Sequence, residues 1–370
     1  MKILFDARPH PYRFSGTGRY AVELAAALGA LFRETGDELI VAASSENQNE
    51  LAARGLNVIG GNECGTDTSV PPQEVIRQIV AEVKPDIYHT PNAVCPPLAS
   101  VPSVLTLHDC IPLRCAFEST PQERVAFSAE IGAALKICSR AIIVSRTTYD
   151  DLCEYFTEHF DKFRVVRHGV SREFKPTPAA EHDRVAAALG LARPYILYVG
   201  NNLRHKNLVA LFEGFGRAAK TLLHGFQLVL GGFGCEELPR HAKVIDKLGL
   251  HDSVKWIGKI SAEDIPAVFG GARAFAMPSI YEGFSMPITE AMACGVPVAC
   301  SDIPVFREIC HDTATYFTPD NPESIAQGLV TAATDDIARA RNIAAGLERV
   351  RIFDWRDAAV RTLEVYKEVV

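Results

Sequence analysis

Short apolar runs alternate with helix-period segments along this chain, and that alternation restricts the fold more than any other feature. In the first half the runs are ILF (3–5), ELIVAA (38–43), LNVIG (56–60), DIYH (86–89), SVLTLH (103–108), AIIVS (141–145) and RVV (164–166). Helical patterns separate several of them. The clearest is TGRYAVELAAALGALFRETG (17–36), apolar at a helical period, with Gly36 as its stop. The stretch HGVSREFKPTPAAEHDR (168–184) has two prolines and no apolar periodicity, and reads as a linker. The alternation then restarts: YILYVG (195–200), FQLVLGG (226–232), SVKWIG (253–258), AFAMPS (274–279), VPVACS (296–301) and ATYF (314–317). Repeated strand–helix–strand units imply parallel sheets clothed by helices, so the chain is α/β with two Rossmann-like domains. The closing FDWRDAAVRTLEVYKEVV reads as an amphipathic helix, whose simplest role is packing on the second domain.

Bulk properties narrow the class. A chain of 370 residues has room for two cores, and 48% hydrophobic with 22% charged residues is a soluble globular balance. No apolar run is long enough to span a bilayer. The opening MKILFDARPH reads as a first strand, not a signal peptide. A net charge of −7 argues against nucleic acid as the main partner. The ten cysteines form no C-x-x-C pair and no zinc-type spacing, and Cys138, Cys294 and Cys300 sit in apolar stretches. They read as reduced, hydrophobe-like thiols of a cytoplasmic protein.

In open parallel sheets ligands bind beyond the carboxyl ends of the strands, and two such sheets facing each other make a deep cleft. The informative residues should follow strands. SGTGRY (15–20) opens the first long helix, and Gly16 and Gly18 would let backbone approach an anion at that helix N-terminus. Ordinary turn chemistry explains the same glycines, and the pattern is not the dinucleotide fingerprint. His108 ends the strand SVLTL; it can contact a sugar hydroxyl or simply hydrogen-bond nearby backbone. Arg204 and Lys206 precede the helix LVALFEGFGRAA, where cations oppose the helix dipole but suit a diphosphate.

YEGFSMPITEAMACGVPV (281–298) carries Glu282 in a loop and Glu290 in or near the first turn of the helix that Pro287 starts. The dipole alone accounts for a carboxylate at such a place. Gly283 permits an unusual backbone angle, and Phe284 to Pro287 can bring free amides to a ligand. Each carboxylate can accept two hydroxyl hydrogen bonds, so one acid can hold a sugar and the other a ribose, with cations and amides on phosphates between them. The set suits a nucleotide sugar.

Taken in order, SGTGRY, LTLHDCIPLR, VSRTTYDDL, HGV, YVGNNLRHKNL, EGFSMPITEAMACGVPV, SDIPVFRE and the terminal FDWRDAAVRTLEVY resemble the retaining family 4 glycosyltransferases of the GT-B fold, mannosyltransferase-like bacterial members in particular. The resemblance spans almost the whole chain. It implies an acceptor-side domain over 1–175, joined by a terminal helix over 354–370 that crosses back to it, and a nucleotide-sugar domain over 176–353. It implies roles as well. Gly16 gives an amide to the donor phosphates. Arg204 and Lys206 neutralise the leaving diphosphate. Glu290 binds ribose. Glu282 holds the donor sugar, with the amides of Phe284 and Ser285 beside it. His108 contacts that sugar near the reacting centre. Ser15 and Ser285 stand where relatives often have glycine, and Cys310 and His311 where they carry Gly-rich turns.

No D-x-D occurs in the chain, so no metal and no other cofactor is indicated. Catalysis would rest on electrostatic stabilisation of the departing diphosphate and front-side attack by a positioned acceptor hydroxyl, with a covalent intermediate on Glu282 the lesser route. A hexosyl donor, GDP-mannose by preference, and a glycan, lipid-linked glycan or small-molecule acceptor follow from the resemblance. The competing readings are an epimerase or phosphorylase on the same fold, and a two-lobed binding protein without catalysis. The region 111–140 mixes apolar residues with Arg114, Arg124, Lys136 and Arg140; it reads as a helical surface, or as peripheral contact with a membrane carrying the acceptor.

Overall fold

The computed structural model describes residues 1–8, 16–60, 72–93, 95–98, 101–191, 194–220, 223–232 and 239–370. The chain divides into two compact units, Met1–Gly169 with Phe353–Val370, and Val170–Ile352.

The first unit runs β1 (Lys2–Asp6), α1 (Gly16–Thr35), β2 (Glu38–Ala42), α2 (Ser45–Ala53), β3 (Asn57–Ile59), α3 (Pro72–Val83), β4 (Ile87–Thr90), β5 (Ser103–Leu107), α4 (Ile111–Arg114), α5 (Pro121–Ile137), β6 (Arg140–Ile143), α6 (Arg146–Tyr155) and β7 (Phe163–Val165). All seven strands pair in parallel, in the order β3-β2-β1-β4-β5-β6-β7. β4 and β5 are buried along their whole length, as strands covered on both faces must be. α1 buries Tyr20, Leu24, Leu28, Leu31 and Phe32 on one face. It stops at Gly36, whose φ of 78° and hydrogen bond to the Phe32 carbonyl (2.9 Å) form a left-handed cap.

The second unit runs α7 (Ala179–Leu189), β8 (Tyr195–Val199), a 3₁₀ turn (Arg204–Lys206), α8 (Leu208–Ala219), β9 (Gln227–Gly231), α9 (Pro239–Leu248), β10 (Val254–Gly258), α10 (Ile265–Gly270), β11 (Ala274–Met277), α11 (Met286–Ala293), β12 (Val298–Ser301), α12 (Pro304–Cys310), β13 (Ala314–Phe317), α13 (Pro322–Thr334) and α14 (Asp336–Arg349). Its six parallel strands are ordered β10-β9-β8-β11-β12-β13. α8 and α13 approach closely at Gly214, where an added Cβ would lie 2.5 Å from Ile325 Cγ2.

The helix α15 (Trp355–Lys367) returns to the first unit and packs on α1. Packing on the second domain, the simplest expectation from its amphipathic pattern alone, is therefore overturned, and the family resemblance implied the observed placement. The docking is specific. Arg356 forks onto Glu34 at 2.7 and 2.6 Å, and Glu368 accepts from Arg140 (2.8 Å) and Arg164 (2.6 Å). A Cβ on Gly169 would lie 2.3 Å from the Trp355 amide nitrogen, so the glycine of the HGV motif makes room for the start of α15.

The expected linker over 168–184 is shorter in the structure, because α7 begins at Ala179. Its sequence AAEHDRVAAAL is alanine-rich and favours a helix, and proline before the first turn does not hinder one. All eight described cysteines are unbridged, and every one but Cys153 is buried. Burial pushes the thiols of Cys138 and Cys294 up to about 12, which keeps them protonated. Among the described residues no helix is long and apolar enough to cross a membrane.

Candidate active site

Both sheets reverse their winding direction once. In the first unit this happens between β1 and β4, and in the second between β8 and β11. The carboxyl ends of strands at such a point leave a crevice, because the flanking crossover helices turn away to opposite faces. In the second unit the loops leaving β8 and β11 carry the candidate residues.

The 3₁₀ turn after β8 presents Lys206, whose Nζ donates to Glu282 Oε1 at 2.5 Å. The two side chains are only 14% and 9% exposed, so water screens the pair weakly. Ser279, fully buried just beyond β11, donates its hydroxyl to the same Oε1 at 2.7 Å. Backbone ties the two loops together: the Ile280 amide donates to the His205 carbonyl at 2.8 Å. Asn207, in the left-handed region at φ 58°, spans three segments, its Nδ2 donating to the carbonyls of Pro278 (3.1 Å) and Pro319 (2.7 Å). Arg204 lies exposed on the same turn. Of the two expected cations, the structure thus brings Lys206 to the acid.

The floor of the β8 loop is built by close backbone approach. Tyr198 is fully buried and its hydroxyl donates to the Asn201 carbonyl at 2.6 Å; burial, with the Glu282 charge nearby, pushes its phenol well above the usual range. Gly232 adopts φ 103°, and a Cβ there would sit 2.6 Å from the Gly200 carbonyl oxygen. Only glycine fits that contact.

Glu282, Gly283, Phe284, Ser285 and Glu290 are all buried. Glu290 is the fifth residue of α11, whose first turn holds no acid. The helix dipole, strongest in the first turn, therefore does not explain this carboxylate, which is 2% exposed. Its charge adds to burial in raising the neighbouring Cys294 thiol. The unusual backbone angle expected at Gly283 falls instead on Ser285, at φ 103° and ψ 80°. Ser285 is the residue before α11, and its side chain carries the strain that a glycine there would avoid. Its hydroxyl is buried and takes part in no hydrogen bond.

In the first unit Gly16 is exposed at the start of α1, while Ser15 lies outside the described residues. His108 stands one residue beyond β5. Its Nε2 meets the Pro91 carbonyl at 2.9 Å, so Nε2 carries the proton, and its ring lies edge-on to Tyr20 at 4.7 Å. The backbone bond foreseen as the alternative to ligand contact is thus present. Beneath it runs a polar chain that sequence reading missed. Tyr20 meets Thr106 Oγ1 (3.0 Å), which meets His89 Nε2 (3.0 Å), whose Nδ1 meets the Tyr366 hydroxyl of α15 (2.6 Å). Burial, with His108 adding to it, pulls His89 down to about 3, so this imidazole is neutral. A histidine inside the otherwise strand-like IYHT was the available signal.

Comparison with known proteins agrees with this architecture. The family profile "Glycosyltransferase Family 4" matches residues 14–174, and "Glycosyl transferases group 1" matches residues 180–349. The O-antigen chain mannosyltransferase B of Escherichia coli is 27% identical over 382 residues, covering 99% of this chain and 100% of that protein. Among solved structures, sucrose-phosphate synthase from Thermosynechococcus elongatus superposes with a TM-score of 0.81 at 20% identity, covering 100% of this chain and 98% of that one. Anabaena HepE in complex with UDP-glucose gives 0.81 at 18% identity, covering 100% and 99%. The chain belongs to the family 4 glycosyltransferases, with the GT-B fold.

Proposed function

We propose that this glycosyltransferase moves a hexosyl group, with retention of configuration and without a metal, from a nucleotide-diphosphate sugar to a hydroxyl of a glycan, a lipid-linked glycan or a small molecule. The observation that carries the reading is the buried Lys206–Glu282 pair at the β8/β11 switch point, with the buried Glu290 eight residues further on. An ammonium held at that crevice suits the charge that grows on a departing diphosphate, and a preorganised cation of this kind is worth about 10²- to 10³-fold in rate. Glu282 accepts the donor sugar's hydroxyls, and Glu290 those of ribose. Arg204 and the amides of Gly283, Phe284 and Ser285 complete the donor set. From the first unit, Gly16 and His108 are assigned to the same donor on their motifs. Glu282 Oε1 already accepts from Lys206 and Ser279, which lowers its nucleophilicity and supports front-side attack over a covalent intermediate.

Support for mannose comes from the Escherichia coli relative and for glucose from the HepE complex, so GDP-mannose and UDP-glucose head the donor panel. If the acceptor is lipid-linked, the surface to meet the bilayer is that around α4 and α5, where Phe117, Val125 and Ile137 are exposed. Turnover of the panel, followed by mass spectrometry with and without chelator, tests the whole. Lys206→Ala and Glu290→Ala should each lower it at least about 10²-fold in a folded protein. Unchanged turnover in either would refute the site, loss of activity with chelator would refute metal independence, and an inverted anomer by NMR would refute retention.

A further inference from the structure

The Lys206–Glu282 pair does not by itself orient the acid. A lysine ammonium is a flexible point charge that imposes little direction on its partner. The second bond on the carboxylate comes from Ser279, which is fully buried. Two acceptors lie within its reach, Glu282 Oε1 at 2.7 Å and the Met277 sulfur at 3.4 Å. The hydroxyl has a single proton, and an ionised oxygen is a far stronger acceptor than a thioether. Both bonds therefore converge on Oε1, and no described donor reaches Oε2. Backbone holds Ser279 in place as well, because the Pro278 carbonyl is tied to Asn207 and the Ile280 amide to His205.

We infer that Ser279 is a positioning residue for sugar transfer: it fixes the Glu282 carboxylate with Oε1 turned to Lys206, so that Oε2 is presented to the donor sugar. This rests on the assignment of Glu282 to the sugar. Ser279 touches neither substrate nor diphosphate; it acts through Glu282, and its effect is confined to ligands that carry the sugar. A nucleoside diphosphate, which lacks the sugar, binds independently of it.

The test compares two constants in Ser279→Ala, measured with GDP-mannose and GDP and in parallel with UDP-glucose and UDP. Loss of a hydrogen bond to a charged group should lower kcat/KM for the nucleotide sugar by about 10- to 100-fold. The inhibition constant of the matching nucleoside diphosphate should stay within about two-fold, because the Lys206 ammonium keeps its own bond to Glu282 Oε1 when the Ser279 hydroxyl is removed. If both constants worsen together, Ser279 merely supports the loop and the inference is overturned; it is equally overturned if neither changes. Ser279→Cys, nearly isosteric and a weaker donor, covers the case in which the alanine variant does not fold. It should show an intermediate loss, and full activity would overturn the inference. Glu282→Ala separates this idea from its foundation. Should Glu282→Ala retain full turnover, the sugar assignment itself is wrong. Should it lose turnover while Ser279→Ala keeps it, the assignment stands and only the positioning role falls. In the Glu282→Ala background, adding Ser279→Ala should cause no further loss.

Discussion

Ser285→Gly should make this protein more stable. Ser285 holds φ 103° and ψ 80°, a region where an L side chain is strained by about 1–3 kcal/mol. Its hydroxyl is buried without a hydrogen bond, a further penalty of about 1–3 kcal/mol. Glycine removes both but frees the unfolded chain, at about 0.5–1 kcal/mol. The balance taken at the low end is a gain of about 1 kcal/mol. For a unit of the size of Val170–Ile352, that corresponds to roughly 2–4 °C in Tm. Calorimetry resolves such a shift, and Ser285→Ala partitions it. Alanine deletes the hydroxyl but keeps the strained Cβ, so its Tm should lie between those of wild type and glycine. Turnover should remain within a few-fold, because the proposed donor contact is the Ser285 amide, which both variants retain. An unchanged or lower Tm in Ser285→Gly would show that the surrounding loop compensates the strain, and the reasoning would fail.

Stability should also depend on His89. Burial first, and His108 second, hold this imidazole at about 3, below its ordinary value of 6.5. The unfolded chain therefore takes up the proton first as pH falls, so the contribution is complete above the ordinary histidine range and is lost progressively on acidification towards about 3. Between pH 7 and 5 the loss is roughly 2 kcal/mol, and urea midpoints of His89→Gln should change correspondingly less than those of wild type over that interval. At α5, Thr120 and Glu123 form a reciprocal capping box, with the Thr120 amide to Glu123 carboxylate bond at 2.7 Å and the Glu123 amide to Thr120 hydroxyl bond at 3.2 Å. Thr120→Ala should cost about 1 kcal/mol, read as a lower Tm with unchanged turnover. Gly232→Ala combines a positive φ with a Cβ 2.6 Å from the Gly200 carbonyl, so it should either unfold the second unit or displace the β8 loop and weaken nucleoside diphosphate binding. A variant with wild-type Tm and affinity would contradict the contact.

Much of this architecture is written in local pattern. A strand covered on both faces has to be a continuous apolar run, so YILYV and SVLTL announced parallel sheets without any tertiary information. Gly36 could be read as the end of α1 because few residues other than glycine take up a left-handed cap. The spacing of Glu282 and Glu290 around a Gly/Pro break likewise marked the candidate site. What the chain alone left open were choices between near neighbours, and these depend on contacts between segments far apart in sequence. Lys206 rather than Arg204 meets Glu282 because the Ile280–His205 hydrogen bond sets how two loops, 75 residues apart, are aligned. The positive φ falls on Ser285 and not on Gly283, and nothing in local propensity favours a strained serine over a glycine two residues earlier. Ser279 and His89 are ordinary residues in their own segments; they acquire roles only when folding brings Glu282, Thr106 and Tyr366 to their side chains. Likewise α15 is amphipathic wherever it docks, and only the complementary surface of α1, with Glu34 opposite Arg356, decides that it joins the first unit.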